Sequence, residues 1–362
     1  MIVLFTGGGT AGHILPNVPL IERLAGEGHA VHYAGSGVAM ERELLGALPL
    51  TYHALPTGKL RRYFSLENLR DAWRVVQGVI AGVRLVRRLR PDVVFSKGGF
   101  VSVPAVLGAW LCGVPIIAHE SDRSPGLANR IAHRVATRIC TSFPETTFGR
   151  ADDPRVVFTG LPVREALLQG DAARGRALLG FTDPARRLLL VMGGSQGSAK
   201  LNGFVRDLLP RLDATSFDVV HLCGRGALQS GLESRAGYRQ FEFLGEPLGD
   251  VLAAADVVLT RAGATTLYEL FALRKPALLV PLTRAQSRGD QIENAAWARA
   301  RGLADVLEEA ELTPDAALAA VAGLLADVPA LVARQAEAFP RRDAVAVLAA
   351  LITEVGARGN RA

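Results

Sequence analysis

The chain has 362 residues, of which 49% are hydrophobic, and a formal net charge of +6 at pH 7. This length exceeds what one hydrophobic core usually serves, so a single small domain is excluded and two domains are expected. The positive charge suits an anionic partner but does not choose between nucleic acid, phospholipid and a pyrophosphate-bearing substrate.

The three cysteines, Cys112, Cys140 and Cys223, lie far apart, form no CxxC pair and sit within or beside apolar runs. This usage predicts a reduced, cytosolic protein. The first strand is predicted to begin at Ile2, so we expect no export signal. The apolar stretch at residues 101–118 is interrupted by proline and glycine, and any membrane contact is therefore expected to be peripheral.

Short runs rich in Val, Ile and Leu alternate along the chain with longer amphipathic segments. This is the pattern of βα units around a mostly parallel sheet that is covered on both faces. In the first half, predicted strands end in GGGTAGH (residues 7–13) and SKGG (96–99). In the second half, they end in GGSQGS (193–198) and TRAG (260–263).

This repetition predicts an α/β fold with two Rossmann-like domains that face each other across a cleft. The first domain would span residues 1–162 and the second residues 163–340, with the junction near Gly160. Residues 341–358 are largely apolar at helical spacing and could form a helix that packs back on the first domain.

The glycine-rich turns are candidate ligand sites, because backbone can approach a ligand closely there and helix N-terminal amides can face an anion. Gly7, Gly9 and Gly12 spell GxGxxG, but the next strand does not end in the acidic residue of a dinucleotide site. Neither half contains the GxxxxGK[ST] P-loop, so NAD binding and ATP hydrolysis are both disfavoured. Four such turns in matched positions favour phosphate or sugar binding beyond the carboxyl ends of the strands.

His13 and Glu269 are candidate functional side chains near these turns. His13 ends the first glycine-rich loop, where an imidazole could accept a proton at neutral pH. A histidine that only hydrogen-bonds backbone at a helix start has equal support. Glu269 follows the turn at Gly263 and could chelate paired ribose hydroxyls, whereas the simpler interpretation is a solvated helix acid.

The sequence does not indicate a metal site. It contains no Asp-x-Asp motif, and no His or Cys cluster has metal-ligand spacing. Charge on a leaving group would then be neutralised by helix amides and cationic side chains. Arg164, just past the predicted junction, is well placed in the sequence for that role.

Residues 73–90 read WRVVQGVIAGVRLVRRLR, with apolar residues at helical spacing and five arginines among them. The segment resembles a basic amphipathic helix that could lie on an anionic membrane. An ordinary Rossmann helix, with its Val and Leu stripe on the sheet and its arginines in solvent, has equal support. One apolar stripe cannot face sheet and bilayer together.

Taken together, these motifs resemble the MurG family over nearly the whole chain. The family's order and spacing are kept by GGGTAGH with Pro16, SKGGFVSVP, His119-Glu120, PGLANR, FTGLPVR, GGSQGS and RAGATTLYEL. The resemblance implies the two-domain GT-B fold and an inverting transfer of N-acetylglucosamine from UDP. The acceptor would be the 4-hydroxyl of lipid-linked N-acetylmuramoyl-pentapeptide in peptidoglycan synthesis, with no cofactor or metal required.

The resemblance also implies a donor site, held mainly by the second domain. By matching position, the residues that bind UDP-N-acetylglucosamine are Thr10, Gly12, Arg164, Ser195, Leu244, Ala264, Thr265, Glu269, Asp290 and Gln291. Ser195 would bind phosphate, Arg164 would support the pyrophosphate, and Glu269 would hold the ribose hydroxyls. The backbone of Leu244 would meet uracil.

Four further donor residues follow in the same way. Ala264 and Thr265 would lie by the phosphates at a helix N-terminus. Asp290 and Gln291 would contact the donor sugar.

The first domain would take the acceptor, with His13 as the base that removes the proton of the attacking hydroxyl. The matching acceptor residues are His119, Glu120, Asp122, Gly98 and Gly99. The implied partners are UDP-N-acetylglucosamine, undecaprenyl-pyrophosphoryl-muramoyl-peptide, an anionic membrane surface on the cytoplasmic face, and cell-wall synthesis proteins as candidates. Nucleic acid is not among them.

Two departures from the family pattern bear on these expectations. Residues 119–122 read HESD where the family usually has His-Glu-Gln-Asn, so Asp122 replaces an amide by a carboxylate near the acceptor. Asp290 stands where the family usually has a glutamine that contacts the donor sugar. Two other functions stay open: a related GT-B enzyme that glycosylates another lipid or a small molecule, and a non-catalytic nucleotide-sugar-binding protein.

Overall fold

The computed structural model describes residues 1–58, 66–150, 152–183, 185–194, 197–233, 235–339 and 343–359. The chain divides into two compact units, one formed by Met1–Val163 with Asp343–Ala362 and the other by Arg164–Arg342. Among the described helices, none alone is long and apolar enough to cross a membrane. Two consecutive helices, Pro314–Ala326 and Val328–Ala338, are bent by 78° relative to each other. Taken together they have the length and composition of a membrane span, but by those two criteria only.

The first unit is built on a seven-stranded sheet. Its strands are β1 (Ile2–Thr6), β2 (Ala30–Gly35), β3 (Thr51–Ala54), β4 (Val93–Ser96), β5 (Ile116–Glu120), β6 (Arg138–Thr141) and β7 (Val156–Phe158). Its first five helices are α1 (Val18–Gly26), α2 (Ala39–Leu45), α3 (Leu66–Leu89), α4 (Val103–Leu111) and α5 (Leu127–His133). All strand pairs are parallel, in the order β3-β2-β1-β4-β5-β6-β7.

The second unit is built on a six-stranded sheet. Its strands are β8 (Arg187–Met192), β9 (Phe217–Leu222), β10 (Tyr238–Phe241), β11 (Val257–Thr260), β12 (Ala277–Leu279) and β13 (Asp305–Val306). Its helices are α6 (Glu165–Leu168), α7 (Ala172–Leu179), α8 (Ala199–Leu208), α9 (Leu248–Ala254), α10 (Ala264–Ala272), α11 (Asp290–Ala300), α12 (Pro314–Ala326) and α13 (Val328–Ala338). The order is β10-β9-β8-β11-β12-β13, again all parallel.

The central strands are apolar throughout because helices cover both faces of each sheet. Val3, Leu4 and Phe5 of β1 are all fully buried, although neighbouring side chains point to opposite faces. The two parallel α/β sheets predicted from the sequence are therefore confirmed.

Strand order reverses between β1 and β4 in the first sheet and between β8 and β11 in the second. Ligands of open α/β sheets bind beyond the carboxyl ends of the strands at such a reversal. The glycine-rich segments of the sequence follow these strands: residues 7–13 follow β1, 96–99 begin at the end of β4, 193–198 follow β8 and 260–263 begin at the end of β11. Each sheet thus carries two of them at its reversal point.

The last helix, α14 (Ala344–Gly359), packs on the first unit. Its buried side chains Leu348, Ala349, Ile352 and Val355 share a core with β1 and α1. Apolar residues at helical spacing bury one stripe of this helix against the first sheet.

Helix α3 carries two separate surfaces, one against the protein and one against solvent. Gly78 and Gly82 of α3 pack closely against Pro104 at the start of α4. An added Cβ at Gly82 would be 2.4 Å from the Pro104 carbonyl oxygen. On the other side, Trp73, Val76 and Ile80 are 63%, 48% and 46% exposed. The helix therefore packs on its neighbour and still presents an apolar face to solvent.

Candidate active-site residues

The glycine-rich loop after β1 carries His13 in a short 3-10 turn, Ala11–His13. Its backbone N–H donates to the carbonyl oxygen of Thr10 at 3.1 Å, and the side chain is half-buried. Gly99 lies against this loop with φ of +77°, and an added Cβ would be 2.3 Å from the Gly8 carbonyl oxygen and 3.1 Å from Cδ2 of His13. Only glycine fits there, and it brings the loops after β1 and β4 together.

Glu41, from α2, anchors this loop through hydrogen bonds to its buried carboxylate. Its fully buried carboxylate accepts hydrogen bonds from the Gly9 N–H (3.4 Å), the Ser36 N–H (2.7 Å), the Ser36 hydroxyl (2.8 Å) and the Tyr52 hydroxyl (2.7 Å). An added Cβ at Gly8 would be 2.4 Å from Oε1 of Glu41. The glycine-rich loop is therefore shaped around a carboxylate.

His119, the penultimate residue of β5, is wholly buried, and both of its ring nitrogens have partners. Nδ1 is 2.7 Å from Nζ of Lys97, and Nε2 is 2.9 Å from the Gly160 carbonyl oxygen. Burial, reinforced by the Lys97 charge, lowers the pKa of His119 well below its usual value. The imidazole is therefore neutral, and it links Lys97 to the backbone at Gly160.

Glu120 shapes the loop that follows β5. Its carboxylate accepts from the backbone N–H of Asp122 (3.0 Å), the backbone N–H of Gly126 (2.9 Å) and the side-chain amide of Asn129 (2.9 Å). Burial, and next the nearby charge of Asp122, raise the pKa of Glu120. Gly98, with φ of +81°, packs against Asn129, which links the SKGG turn to this loop.

In the second unit, Arg164 and Glu269 form an ion pair. Nε and Nη2 of Arg164 donate to Oε1 of Glu269 at 3.1 and 2.9 Å. Burial raises the pKa of the Glu269 carboxyl, and the Arg164 charge and hydrogen bond oppose that shift. Glu269 is therefore not the solvated helix acid of the simpler interpretation, since it is buried and paired.

Arg261 ties together three strand ends of the second sheet. Its buried guanidinium donates to the carbonyl oxygen of Val280 (3.1 Å) and to the hydroxyl of Ser198 (2.7 Å), and lies 2.6 Å from Glu309. Ser198 in turn caps α8 by accepting from the Leu201 N–H at 3.3 Å. The glycine-rich segment after β8 is thus fixed to the ends of β11 and β12.

The other sequence-predicted donor residues lie at the same edge of the second sheet. Leu244 is buried in the loop after β10, and Ala264 and Thr265 open α10 directly after β11. Asp290 and Gln291 open α11 after β12; Oε1 of Gln291 accepts from the Leu282 N–H at 3.1 Å. Because carboxyl ends of parallel strands share one edge, these positions are grouped.

Two predicted donor positions lie in the first unit, and a third cannot be assigned to an edge. Ser195 lies outside the described residues. Thr10, which is exposed, and Gly12 belong to the first unit, in the loop that carries His13. Among the described residues, no group of three or more His, Cys, Asp or Glu side chains is arranged to hold a metal ion.

Comparison with known proteins assigns the chain to a family. The glycosyltransferase family 28 N-terminal domain matches residues 3–141, and the family 28 C-terminal domain matches residues 188–348. A relative from Geobacillus thermodenitrificans (strain NG80-2) is 49% identical over 320 residues, which cover 88% of this chain and 89% of that protein. That relative is a UDP-N-acetylglucosamine--N-acetylmuramyl-(pentapeptide) pyrophosphoryl-undecaprenol N-acetylglucosamine transferase. The chain belongs to the MurG family.

Solved structures place this MurG-family chain in the GT-B fold. MurG from Acinetobacter baumannii matches with a TM-score of 0.72 at 22% identity, covering 98% of this chain and 99% of that one. CalG4, the calicheamicin glycosyltransferase, matches with a TM-score of 0.73 at 18% identity, covering 99% of this chain and 98% of that one. The two scores are nearly equal, so the fold by itself does not choose the acceptor.

Sequence reasoning missed several residues that organise the strand-end loops of this MurG-family chain. Glu41, Lys97, Asn129 and Arg261 are all buried and hydrogen-bonded at the strand-end edges. Lys97 and Arg261 stood inside motifs already singled out, SKGG and TRAG, where a cation directly after a buried strand was the available signal. Glu41 gave no such signal, because an acid in the first turn of a helix is ordinarily a solvated residue.

Proposed function

We propose that the chain transfers N-acetylglucosamine from UDP to the 4-hydroxyl of N-acetylmuramoyl-pentapeptide linked through pyrophosphate to undecaprenol. This is the conversion of lipid I to lipid II in peptidoglycan synthesis. The observation that carries the proposal is 49% identity over 88% of the chain to a transferase of that activity. The retained His13 and the buried Arg164–Glu269 pair support it, because a protein that only binds nucleotide sugars needs no base.

The donor is assigned to the carboxyl edge of the second sheet. Amide groups at the start of α10, beside Ala264 and Thr265, would face the diphosphate, since the positive end of a helix dipole favours anions. Arg164 would support the same charge. Oε2 of Glu269 is the oxygen not engaged by the guanidinium hydrogen bonds described above, so we assign the ribose hydroxyls to it.

Three further donor contacts carry over from the family pattern. Ser195 would bind phosphate, and the backbone of Leu244 would meet uracil. Asp290 and Gln291 would contact the sugar. The carboxylate of Asp290 can accept a hydrogen bond from a sugar hydroxyl but cannot donate one.

The acceptor is assigned to the carboxyl edge of the first sheet, where the turn at Gly98 and Gly99 packs against Asn129 and the loop that carries His13. Within this edge, Asp122 is half-buried and can meet a ligand directly. His119 and Glu120 are buried and hydrogen-bonded within the protein, so we assign them a supporting role.

His13 would act as the general base. The acceptor 4-hydroxyl oxygen forms a bond to the anomeric carbon while the bond from that carbon to the UDP oxygen breaks on the opposite face. The electron pair leaves with UDP, and the hydroxyl proton passes to the imidazole. Attack from the opposite face inverts the anomeric centre. Helix amides and Arg164 take the leaving-group charge, so we propose that no metal or other cofactor is required.

Peripheral attachment to the cytoplasmic face of the cell membrane completes the proposal. Trp73, Val76 and Ile80 form an exposed apolar face of α3, and the exposed arginines Arg84 and Arg87 continue it at helical spacing. Apolar side chains beside basic ones match the interface of an anionic bilayer. Such a surface would keep the enzyme near a substrate that does not leave the membrane.

The deciding experiment supplies the purified protein with UDP-N-acetylglucosamine and a short-chain lipid-linked muramoyl-pentapeptide. We expect a disaccharide product by mass spectrometry and one UDP released for each product. Diacylglycerol is the control acceptor, and with it we expect no UDP release. Release with diacylglycerol alone would reject the proposed acceptor, and binding of UDP without any transfer would reject the enzymatic activity.

A further inference from the structure

The acceptor edge proposed above holds more negative charge than its substrate should tolerate. Glu120 and Asp122 lie two residues apart in one loop, and Asp122 stands where the family usually has an amide. The acceptor assigned to this edge carries a pyrophosphate. The half-buried Asp122 and the buried Glu120 would together repel a pyrophosphate unless a nearby cation offsets their charge.

Lys97 supplies that cation from inside the protein. It follows β4 directly, and 1% of it is exposed. Its ammonium group is 2.7 Å from Nδ1 of His119 and also donates a hydrogen bond to the Ser121 hydroxyl. Its backbone N–H donates to the Thr6 carbonyl oxygen at 2.8 Å, beside the glycine-rich loop.

Burial and the neighbouring acidic groups act on the Lys97 ammonium in opposite directions. Burial, the largest cause, lowers the pKa of Lys97 to about 7 against the opposing effects of Glu120, Asp122 and the Cys140 thiol. An ammonium group only donates hydrogen bonds, so Nδ1 of His119 must accept. Nε2 therefore carries the hydrogen and donates it to the Gly160 carbonyl oxygen.

We propose that Lys97 is a positioning residue for the acceptor: it holds His119 neutral in the Nε2–H form and offsets the negative charge of Glu120 and Asp122 so that the loop after β5 accepts a pyrophosphate-linked substrate. The proposal rests on the proposed function for the identity of that substrate. It accounts for the carboxylate at position 122, because Lys97, directly after the neighbouring strand β4, offsets the charge of Asp122.

The first test needs no activity. Nitrogen-15 NMR of histidine side chains should show His119 of the full chain as the neutral Nε2–H tautomer. In Lys97→Met the pKa of His119 should rise, because a positive neighbour is lost. An Nδ1–H tautomer, or a His119 signal unchanged by the substitution, would overturn the proposal whether or not the chain transfers sugar.

The second test separates charge from packing. With the lipid-linked acceptor, Lys97→Met should raise the acceptor KM by about tenfold or more and leave the KM for UDP-N-acetylglucosamine unchanged. Adding Asp122→Asn to Lys97→Met should recover most of that loss, because the repelling carboxylate is gone. Lys97→Arg should retain the charge and lose less than Lys97→Met.

Lys275 is the matched control, because it is a half-buried lysine of the second unit. Its ammonium donates to the carbonyl oxygens of Ala253 and Ala255 at 2.7 and 2.8 Å. Lys275→Met should destabilise the fold without changing the acceptor KM. Equal changes in both KM values for Lys97→Met, or no recovery from Asp122→Asn, would reduce Lys97 to a packing role. A wild-type chain that transfers nothing to the acceptor would instead reject the proposed function, while the NMR result would still decide the first half of this inference.

Discussion

Carboxylates organise the strand-end loops of the first unit, whereas guanidinium groups organise those of the second. Glu41 and Glu120 each accept two backbone N–H groups from loops at the edge of the first sheet. Arg261 instead donates to the carbonyl oxygens of Val280 and Pro281, at 3.1 and 3.4 Å. The two sheets share a topology but fix their loops with opposite charge.

The difference bears on what each edge can bind. A carboxylate occupies amide groups that could otherwise face an anion, whereas an arginine occupies carbonyl oxygens and leaves amides available for phosphate. The second edge is therefore the better site for a nucleotide diphosphate. The first edge needs an additional cation for an anionic acceptor, and Lys97 is placed to supply it.

The largest expected effect tests whether the general base is His13, at the edge of the first sheet. His13→Ala should lower kcat by about 10²- to 10⁴-fold, the usual contribution of a general base, and leave UDP affinity unchanged. Steady-state transfer assays and calorimetric UDP titration measure the two effects. His29→Ala, at a half-buried histidine of the same unit, serves as the control. Turnover that survives in His13→Ala would assign the base to another group.

The second prediction tests the carboxylate anchor. Glu41→Gln should lower the free energy of unfolding by about 2–3 kcal/mol, because an amide NH₂ would face buried donors that need an acceptor. It should also lower kcat, since the loop carries His13. Denaturant unfolding of the full chain measures the first effect. Glu43→Gln, an exposed position on the same helix, should change stability by less than about 0.5 kcal/mol. Equal results for the two variants would show that Glu41 does not anchor the loop.

The third prediction concerns the second edge. Glu269→Ala should weaken UDP binding by about 1–3 kcal/mol, because the ribose hydroxyls and the Arg164 guanidinium both lose their partner. Calorimetric titration gives the change directly. Glu165→Ala, at the exposed acid next to Arg164, should bind UDP normally. Unchanged affinity in Glu269→Ala would remove this residue from the nucleotide site.

The sequence predicted these two edges unequally, for a physical reason. Glycine turns after apolar strands are local signals, so the four loops could be placed from the sequence alone. The sequence singled out Arg164 and Glu269 separately, but these residues are 105 positions apart, and no local signal predicted that they form a pair. Glu41 was not found, because its burial depends on the absence of side chains at Gly8 and Gly35.

The amphipathic helix shows a second limit of sequence reasoning. Its periodicity was expected to provide one apolar stripe, for either the protein or the membrane. Gly78 and Gly82 carry little hydrophobic signal, yet they let α3 approach α4 closely. Leu85 and Val86 near the end of α3 are buried in the core of the first unit, whereas Trp73, Val76 and Ile80 are exposed. Hydrophobicity alone does not report a contact made through glycine backbone.

The fourth prediction contrasts the two units at their surfaces. Arg87→Glu with Arg88→Glu should weaken binding to anionic vesicles by at least about 2 kcal/mol, since each basic residue near such a surface contributes about 1 kcal/mol. Wild-type binding should also fall as salt rises. Arg299→Glu with Arg301→Glu makes the same charge change at exposed positions of the second unit and should leave binding unaltered. Equal losses in both pairs would mean that net charge, not α3, holds the protein to vesicles.

The smallest expected effect lies outside either edge, at Asp153. Its carboxylate accepts from the Arg155 guanidinium at 2.7 and 3.0 Å and lies 3.0 Å from Nε2 of His133. The side-chain hydrogen bonds from Arg155, and next the Arg155 backbone N–H, lower the pKa of Asp153 below its ordinary value of 3.8. A carboxyl whose pKa is lower in the folded than in the unfolded chain stabilises the fold above the unfolded value. That stabilisation is lost as pH falls through the folded value.

The melting temperature should therefore decline on acidification below about pH 4, and Asp153→Asn should reduce that decline while lowering the melting temperature at pH 7. Asp152→Asn is the matched control, because Asp152 is adjacent, its side chain is 80% exposed and its nearest ion-pair distance is 3.5 Å, to Arg150. A scanning-calorimetry series from pH 7 to about pH 3 measures both variants. If Asp153→Asn and Asp152→Asn follow the same curve, the hydrogen bonds from Arg155 to Asp153 do not set the acid response of the first unit.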